Sequence, residues 1–78
     1  MTNIEKYRQA FADAFEIEPE MADGYVFRKS EGWDSIGHMS LVAAFEDAFG
    51  IELEPDEMMA ITSFPSGMEM LKKKGIEF

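Results

Sequence analysis

Asp34-Ser35-Ile36-Gly37-His38-Met39-Ser40-Leu41-Val42-Ala43-Ala44-Phe45-Glu46-Asp47-Ala48-Phe49-Gly50 is the stretch that decides the fold. Ile36, Met39, Val42, Phe45 or Ala43, and Phe49 recur at helical spacing, so residues 35–49 present one apolar face. Asp34 or Ser35 can accept the free N–H groups of the first turn. Gly50 suits the left-handed position that closes a helix.

The neighbouring segments follow the same logic. Upstream, Ile4, Tyr7, Phe11, Ala14 and Phe15 place one stripe on a helix over about residues 3–15. Thr2 and Glu5 fit a capping box at its start, and Glu16-Ile17-Glu18-Pro19 is expected to end it, because the residue before a proline leaves the helical region. Residues 16–33 keep no period but hold Ile17, Met21, Tyr25, Val26 and Phe27. They read as a long ordered loop pinned by its own apolar residues, with a short helical turn as an open alternative. Downstream, Ile51-Glu52-Leu53 is a brief extended link, and Pro55 opens a short helix over about 56–61. Ser63 caps a last helix over about 64–74, with Phe64, Met68 and Leu71 inward; Lys72, Lys73, Lys74 and Gly75 suit its negative end. The sum is an all-α four-helix bundle, three longer helices and one short.

Length and composition bound what such a bundle can do. Seventy-eight residues, 46% of them apolar, form one domain spanning 1–78 with no room for a separate catalytic lobe. Seven Lys or Arg against sixteen Asp or Glu leave a net charge of −9. That field repels nucleic-acid phosphates and anionic lipid, and favours protein partners with basic docking patches. No cysteine is present, which excludes disulfides, thiolate metal sites and cysteine nucleophiles. Neither Glu20 to Glu31 nor Asp47 to Met58 supplies the oxygen series of a calcium loop, so no metal site is expected and the seven methionines read as core and pocket filler. With no apolar leader and no apolar run of bilayer length, the expected compartment is the cytoplasm. A monomer is the expected state.

Ser35 is the most informative side chain. A phosphate on its oxygen would lie beside free N–H groups and the positive end of the helix dipole. Asp34 and Ser35 also serve as plain capping residues, and that reading stands beside the first. Asp34, Ser35 and His38 do not compose a triad: Asp34 is expected to cap, and His38, the only histidine, to face solvent on the second helix. Glu46 and Asp47, with Asp34, make an acidic edge that would steer a basic partner toward the serine.

Gly32-Trp33-Asp34-Ser35-Ile36, continued through Leu41 to Leu53, resembles an acyl carrier protein. The family signature Asp-Ser-Leu reads here as Asp34-Ser35-Ile36, and the downstream spacing to Ile61-Thr62-Ser63-Phe64 matches without a gap. The resemblance implies a right-handed bundle in which Ser35 carries 4′-phosphopantetheine, received from coenzyme A through a magnesium-dependent phosphopantetheinyl transferase. The arm's thiol would hold acyl cargo as a thioester for acyl-transferring or ketosynthase-type enzymes. Asp34, Ile36, Met39, Glu46 and Asp47 become candidate partner contacts. Met39, Phe45, Phe49, Ile61 and Met68 become candidate lining of an acyl pocket, or ordinary core. Gly37 and Ser40 stand where fatty-acid carriers have acids, Glu31 where a leucine is usual, and Trp33 where a small residue is usual. Those departures point toward a specialised pathway. The alternatives are a peptidyl carrier, whose surface is usually less acidic, and an unmodified acidic adaptor.

Self-repulsion at −9 destabilises the compact state, so screening should stabilise it. Raising sodium chloride from low to physiological strength is expected to raise Tm in thermal melts followed by circular dichroism. A falling Tm would contradict the charge argument.

Overall fold

The computed structural model describes all 78 residues. Helix α1 spans Asn3–Phe15, a 3-10 turn spans Pro19–Gly24, and α2 spans Ser35–Phe49. The short α3 covers Pro55–Met59, and α4 covers Phe64–Lys73. An all-α bundle is thus what forms, measuring 29 × 27 × 19 Å. No helix is long and apolar enough to cross a membrane.

The caps explain most boundaries. The Thr2 N–H donates to Glu5 Oε1 at 2.7 Å while the Glu5 N–H reaches Thr2 Oγ1 at 3.3 Å, the reciprocal pair expected at the start of α1. Its end differs in cause. Glu16 takes the left-handed conformation, φ 56°, and the N–H groups of Glu16 and Ile17 both close onto Ala12 O, so the helix stops at Phe15, before Pro19 can act. Pro19 instead opens the 3-10 turn inside the long loop. Ala22 of that turn is fully buried, and Asp23 pairs with the Arg8 guanidinium, which ties the turn to α1.

Helix α3 ends at Met59, short of the expected Ile61. Ile61 is fully buried. The helix closes with a tight turn at Ala60, Ile61 enters the core, and the chain then extends so that Ser63 pairs with Val26 in an isolated antiparallel bridge. The Phe27 N–H donates to Thr62 O at 2.8 Å and the Phe64 N–H to Tyr25 O at 3.2 Å. Helix α4 stops at Lys73, one residue early, where Lys74 turns its ammonium to the Glu57 carboxylate at 3.0 and 3.2 Å. The Glu54 N–H and then Lys74 hold the Glu57 carboxyl below its ordinary range.

The core is aromatic. Tyr7 stacks on Phe45 at 5.1 Å between centroids and meets Phe11 and Phe64 edge-on. Its buried hydroxyl donates to Phe64 O at 2.5 Å, and burial pushes the phenol's pKa upward. Gly67 makes that bond possible, since a Cβ there would sit 2.4 Å from the Tyr7 oxygen. Trp33, 1% exposed, packs against Phe11 and Phe15 and anchors the end of the long loop.

At position 37 close packing outweighs helix propensity. A helix-interior glycine loses about 1 kcal/mol against alanine in the open. Here an added Cβ would lie 1.9 Å from the Gly32 carbonyl oxygen. Gly37→Ala is therefore expected to destabilise: overpacking costs about 1–3 kcal/mol, and each net kcal/mol lowers Tm by roughly 4–8 °C in a domain this size. Gly24→Ala, whose Cβ meets nothing within 4 Å, is the control and should leave Tm near wild type. Equal melting of both variants would refute the close-approach argument.

Candidate functional site

The site is the start of α2 and the loop folded against it. Asp34, not Ser35, is the cap: Asp34 Oδ1 accepts the Gly37 N–H at 2.9 Å, and Asp34 O accepts the His38 N–H at 2.8 Å. That leaves the Ser35 hydroxyl outside the cap and exposed. The backbone N–H groups of Ser35 and Ile36 donate to no acceptor within the protein. Arg28 Nη2 donates to Ser35 Oγ at 3.4 Å. Beside the hydroxyl, Ile36 is 80% and Met39 55% exposed, an apolar margin on a charged surface.

His38 is not solvent-facing. Its Nδ1 accepts the Trp33 Nε1–H at 3.0 Å, and its Nε2 lies 2.9 Å from Met58 O. The indole N–H is donor only, so Nδ1 is the bare nitrogen and Nε2–H donates to the carbonyl. A buried tryptophan needs an acceptor, and His38 supplies it while tying α2 to the end of α3. With both nitrogens engaged, His38 makes no bond to Ser35, and no triad exists.

The acidic edge is not one face. Glu46 is half-buried, and its Oε2 accepts the Leu53 N–H at 2.9 Å, so this carboxylate fixes the link after α2. Asp47 follows Ser35 by twelve residues, a rotation of about 120° at ~3.6 residues per turn. It lines a cleft of about 320 Å³ between α1 and α2 with Met1, Lys6, Gln9, Ala10, Asp13, Ala44 and Ala48. Of the acids assigned to partner contact, Asp34 alone stands next to Ser35.

The pocket candidates do not gather around one cavity. Phe45 and Ile61 are fully buried core, Phe49 and Met68 are half-buried, and Met39 lies on the surface. None of the five lines the α1–α2 cleft.

Comparison with known proteins bears on this geometry directly. A family model described as "Phosphopantetheine attachment site" matches residues 5–66. Acyl carrier proteins of Rhodopseudomonas palustris strains BisB18 and HaA2 are each 31% identical over 70 residues, covering 88% of this chain and 89% of theirs. The chain belongs to the acyl carrier protein family. Members of this family bear 4′-phosphopantetheine on a carrier domain of this kind, and such domains present cargo to other enzymes without being catalysts themselves. The residues at the head of α2 fit that group: an exposed hydroxyl to esterify, two amides without acceptors, and one cation within reach.

Two residues beside Ser35 escaped the sequence reading: Arg28 was not singled out, and His38 was expected to face solvent. Arg28 sits in a loop without period, and only its charge, rare in so acidic a chain, marked it. His38 was marked by Trp33: a large indole at a position where the family keeps a small residue must bury its N–H against some acceptor nearby. His38→Phe keeps the ring and removes both bonds. Leaving the Trp33 N–H unpaired and removing one of the two donors to Met58 O is expected to cost about 1–3 kcal/mol, seen as a lower Tm and faster amide exchange over Pro55–Ala60. Unchanged exchange there would show that the histidine does not hold α3.

Proposed function

We propose that Ser35 carries 4′-phosphopantetheine and that the protein serves as an acyl carrier for a specialised biosynthetic pathway. The observation that carries this reading is the Ser35 hydroxyl itself, exposed beside Asp34 while Asp34 does the capping. A hydroxyl needed for capping would be locked against its own helix; this one is free to become an ester. In the loading step Ser35 Oγ bonds to the phosphorus that bears pantetheine in coenzyme A. The phosphoanhydride P–O bond breaks, adenosine 3′,5′-bisphosphate leaves, and the serine proton passes to a base of the transferase.

The arm, when bound, supplies the thiol that a chain without cysteine lacks, and with it a thioester. The protein's own residues do the rest. Asp34 fixes the first turn so that Ser35 projects, and Ile36 and Met39 offer an apolar contact to a docking enzyme. Gly37 and Ser40, neutral where fatty-acid carriers have acids, and Glu46, engaged by Leu53, leave the face near Ser35 less acidic than the net charge suggests. Partners that read this face therefore rely more on Asp34 and on apolar contact than on a row of carboxylates. A cytoplasmic location is part of the same proposal.

Incubation with coenzyme A, magnesium and a broad-specificity phosphopantetheinyl transferase, followed by intact-mass spectrometry, tests the assignment. The wild type is expected to gain one phosphopantetheine and Ser35→Ala none. Loading of Ser35→Ala, or no loading of the wild type, would refute it.

A further inference from the structure

Seven cations serve sixteen acids in this chain, and three of them sit in ion pairs: Arg8 with Asp23, Lys72 with Glu69, Lys74 with Glu57. Arg28 pairs with no carboxylate. Its guanidinium points instead at the Ser35 hydroxyl, with Nη2 3.4 Å from Oγ.

The surroundings fix that direction. The Arg28 backbone takes φ 67°, a left-handed conformation rare outside glycine, and its N–H donates to Trp33 O at 2.8 Å. Arg28 is thereby held by the residue that precedes Asp34 and Ser35. The guanidinium carbon lies 5.2 Å from the centroid of the Phe27 ring. Phe27 packs in turn on His38 at 5.1 Å and Trp33 at 6.1 Å. One stack thus runs from the buried indole through Phe27 to the cation. The strained backbone and the aromatic platform converge on an arginine whose hydrogen bond goes to a neutral hydroxyl, a weak use of a charged fork donor.

We infer that Arg28 is a positioning residue for the arm: its guanidinium binds the phosphodiester anion formed on Ser35 and holds the arm's root against the 26–33 loop. The inference rests on Ser35 being the attachment site. A phosphodiester places two unesterified anionic oxygens on the phosphorus, two bonds from Oγ, where the fork of the guanidinium can bind both at once, as it binds phosphate generally. Arg28 and the free N–H groups of Ser35 and Ile36 would then grip the same anion from the loop and from the helix.

Isotope-labelled wild type, Arg28→Gln, Arg28→Lys and Lys29→Gln are loaded with phosphopantetheine, and intact mass establishes completeness. Lys29→Gln removes the same charge one residue away, from a side chain that makes no ion pair. Loading is expected to shift the Arg28 Nε–Hε resonance. The ³¹P resonance of the diester is expected to move in Arg28→Gln, to move less in Arg28→Lys, and to stay in place in Lys29→Gln. In about 1 M salt, where the screening length is ~3 Å, the difference between wild type and Arg28→Gln should shrink. An Arg28 resonance unmoved by loading, or a ³¹P resonance that ignores Arg28→Gln, overturns the inference while leaving a loaded Ser35 intact. Failure of the wild type to gain mass overturns both.

Discussion

The Gly32 carbonyl rests on α2 at Gly37, where no Cβ intervenes, and the site depends on that approach. It brings the end of a long loop against the first turn of the helix rather than beside it. Trp33 then drops into the core between Phe11 and Phe15, Asp34 reaches the Gly37 N–H, and Ser35 is the first residue left pointing outward. Any larger side chain at position 37 would lift the loop, and with it the tryptophan and the cap. The helix accepts its least favourable ordinary residue at this point because packing outweighs propensity.

The helices were legible wherever a cap and a period agreed. Thr2 with Glu5, the 35–49 stripe, Gly50 and Ser63 each gave two signals for one boundary, and the structure places those boundaries where both point. Single rules were a poorer guide: α1 ends at Phe15 as read, but not because of Pro19. Pro19 was read as a stop, yet it starts a 3-10 turn, since Glu16 already turns the chain in a left-handed conformation. Pro55 marked the start of the short helix, but no cap or glycine marked its end, and Ile61 fell within the expected span. Ile61 is instead fully buried beyond the helix, two residues before Ser63 bridges Val26. Pairing between segments 37 residues apart leaves no mark on local periodicity.

At the site, an outward hydroxyl at the head of α2 was legible because its signals are local: a serine, an acid before it and a helix behind it. The acidic edge was not, because charge counted along a sequence says nothing of where a carboxylate is already bound. Glu46 accepts the Leu53 N–H, and Asp47 turns toward α1. The pocket candidates share that difficulty. Apolar residues at helical spacing describe a face, and Phe45 and Ile61 show how completely such a face can close on itself.

Two polar side chains at the head of α2 answer opposite needs. His38 exists for the inside: the buried indole N–H has no other acceptor, Met58 O takes a second donor beside the Ile61 N–H, and one imidazole of fixed tautomer serves both. Arg28 faces outward and has no such debt, for no buried acceptor or carboxylate holds it. Both hang on Trp33, one through its ring nitrogen and one through its carbonyl. Replacing the small residue usual at this position by tryptophan therefore does more than fill space. It orders the loop from both sides, so the direction of the guanidinium and the geometry of the helix start are set by the same buried ring. A mobile loop would let an exposed arginine sample the many carboxylates of a −9 surface. An ordered one keeps it beside a single oxygen.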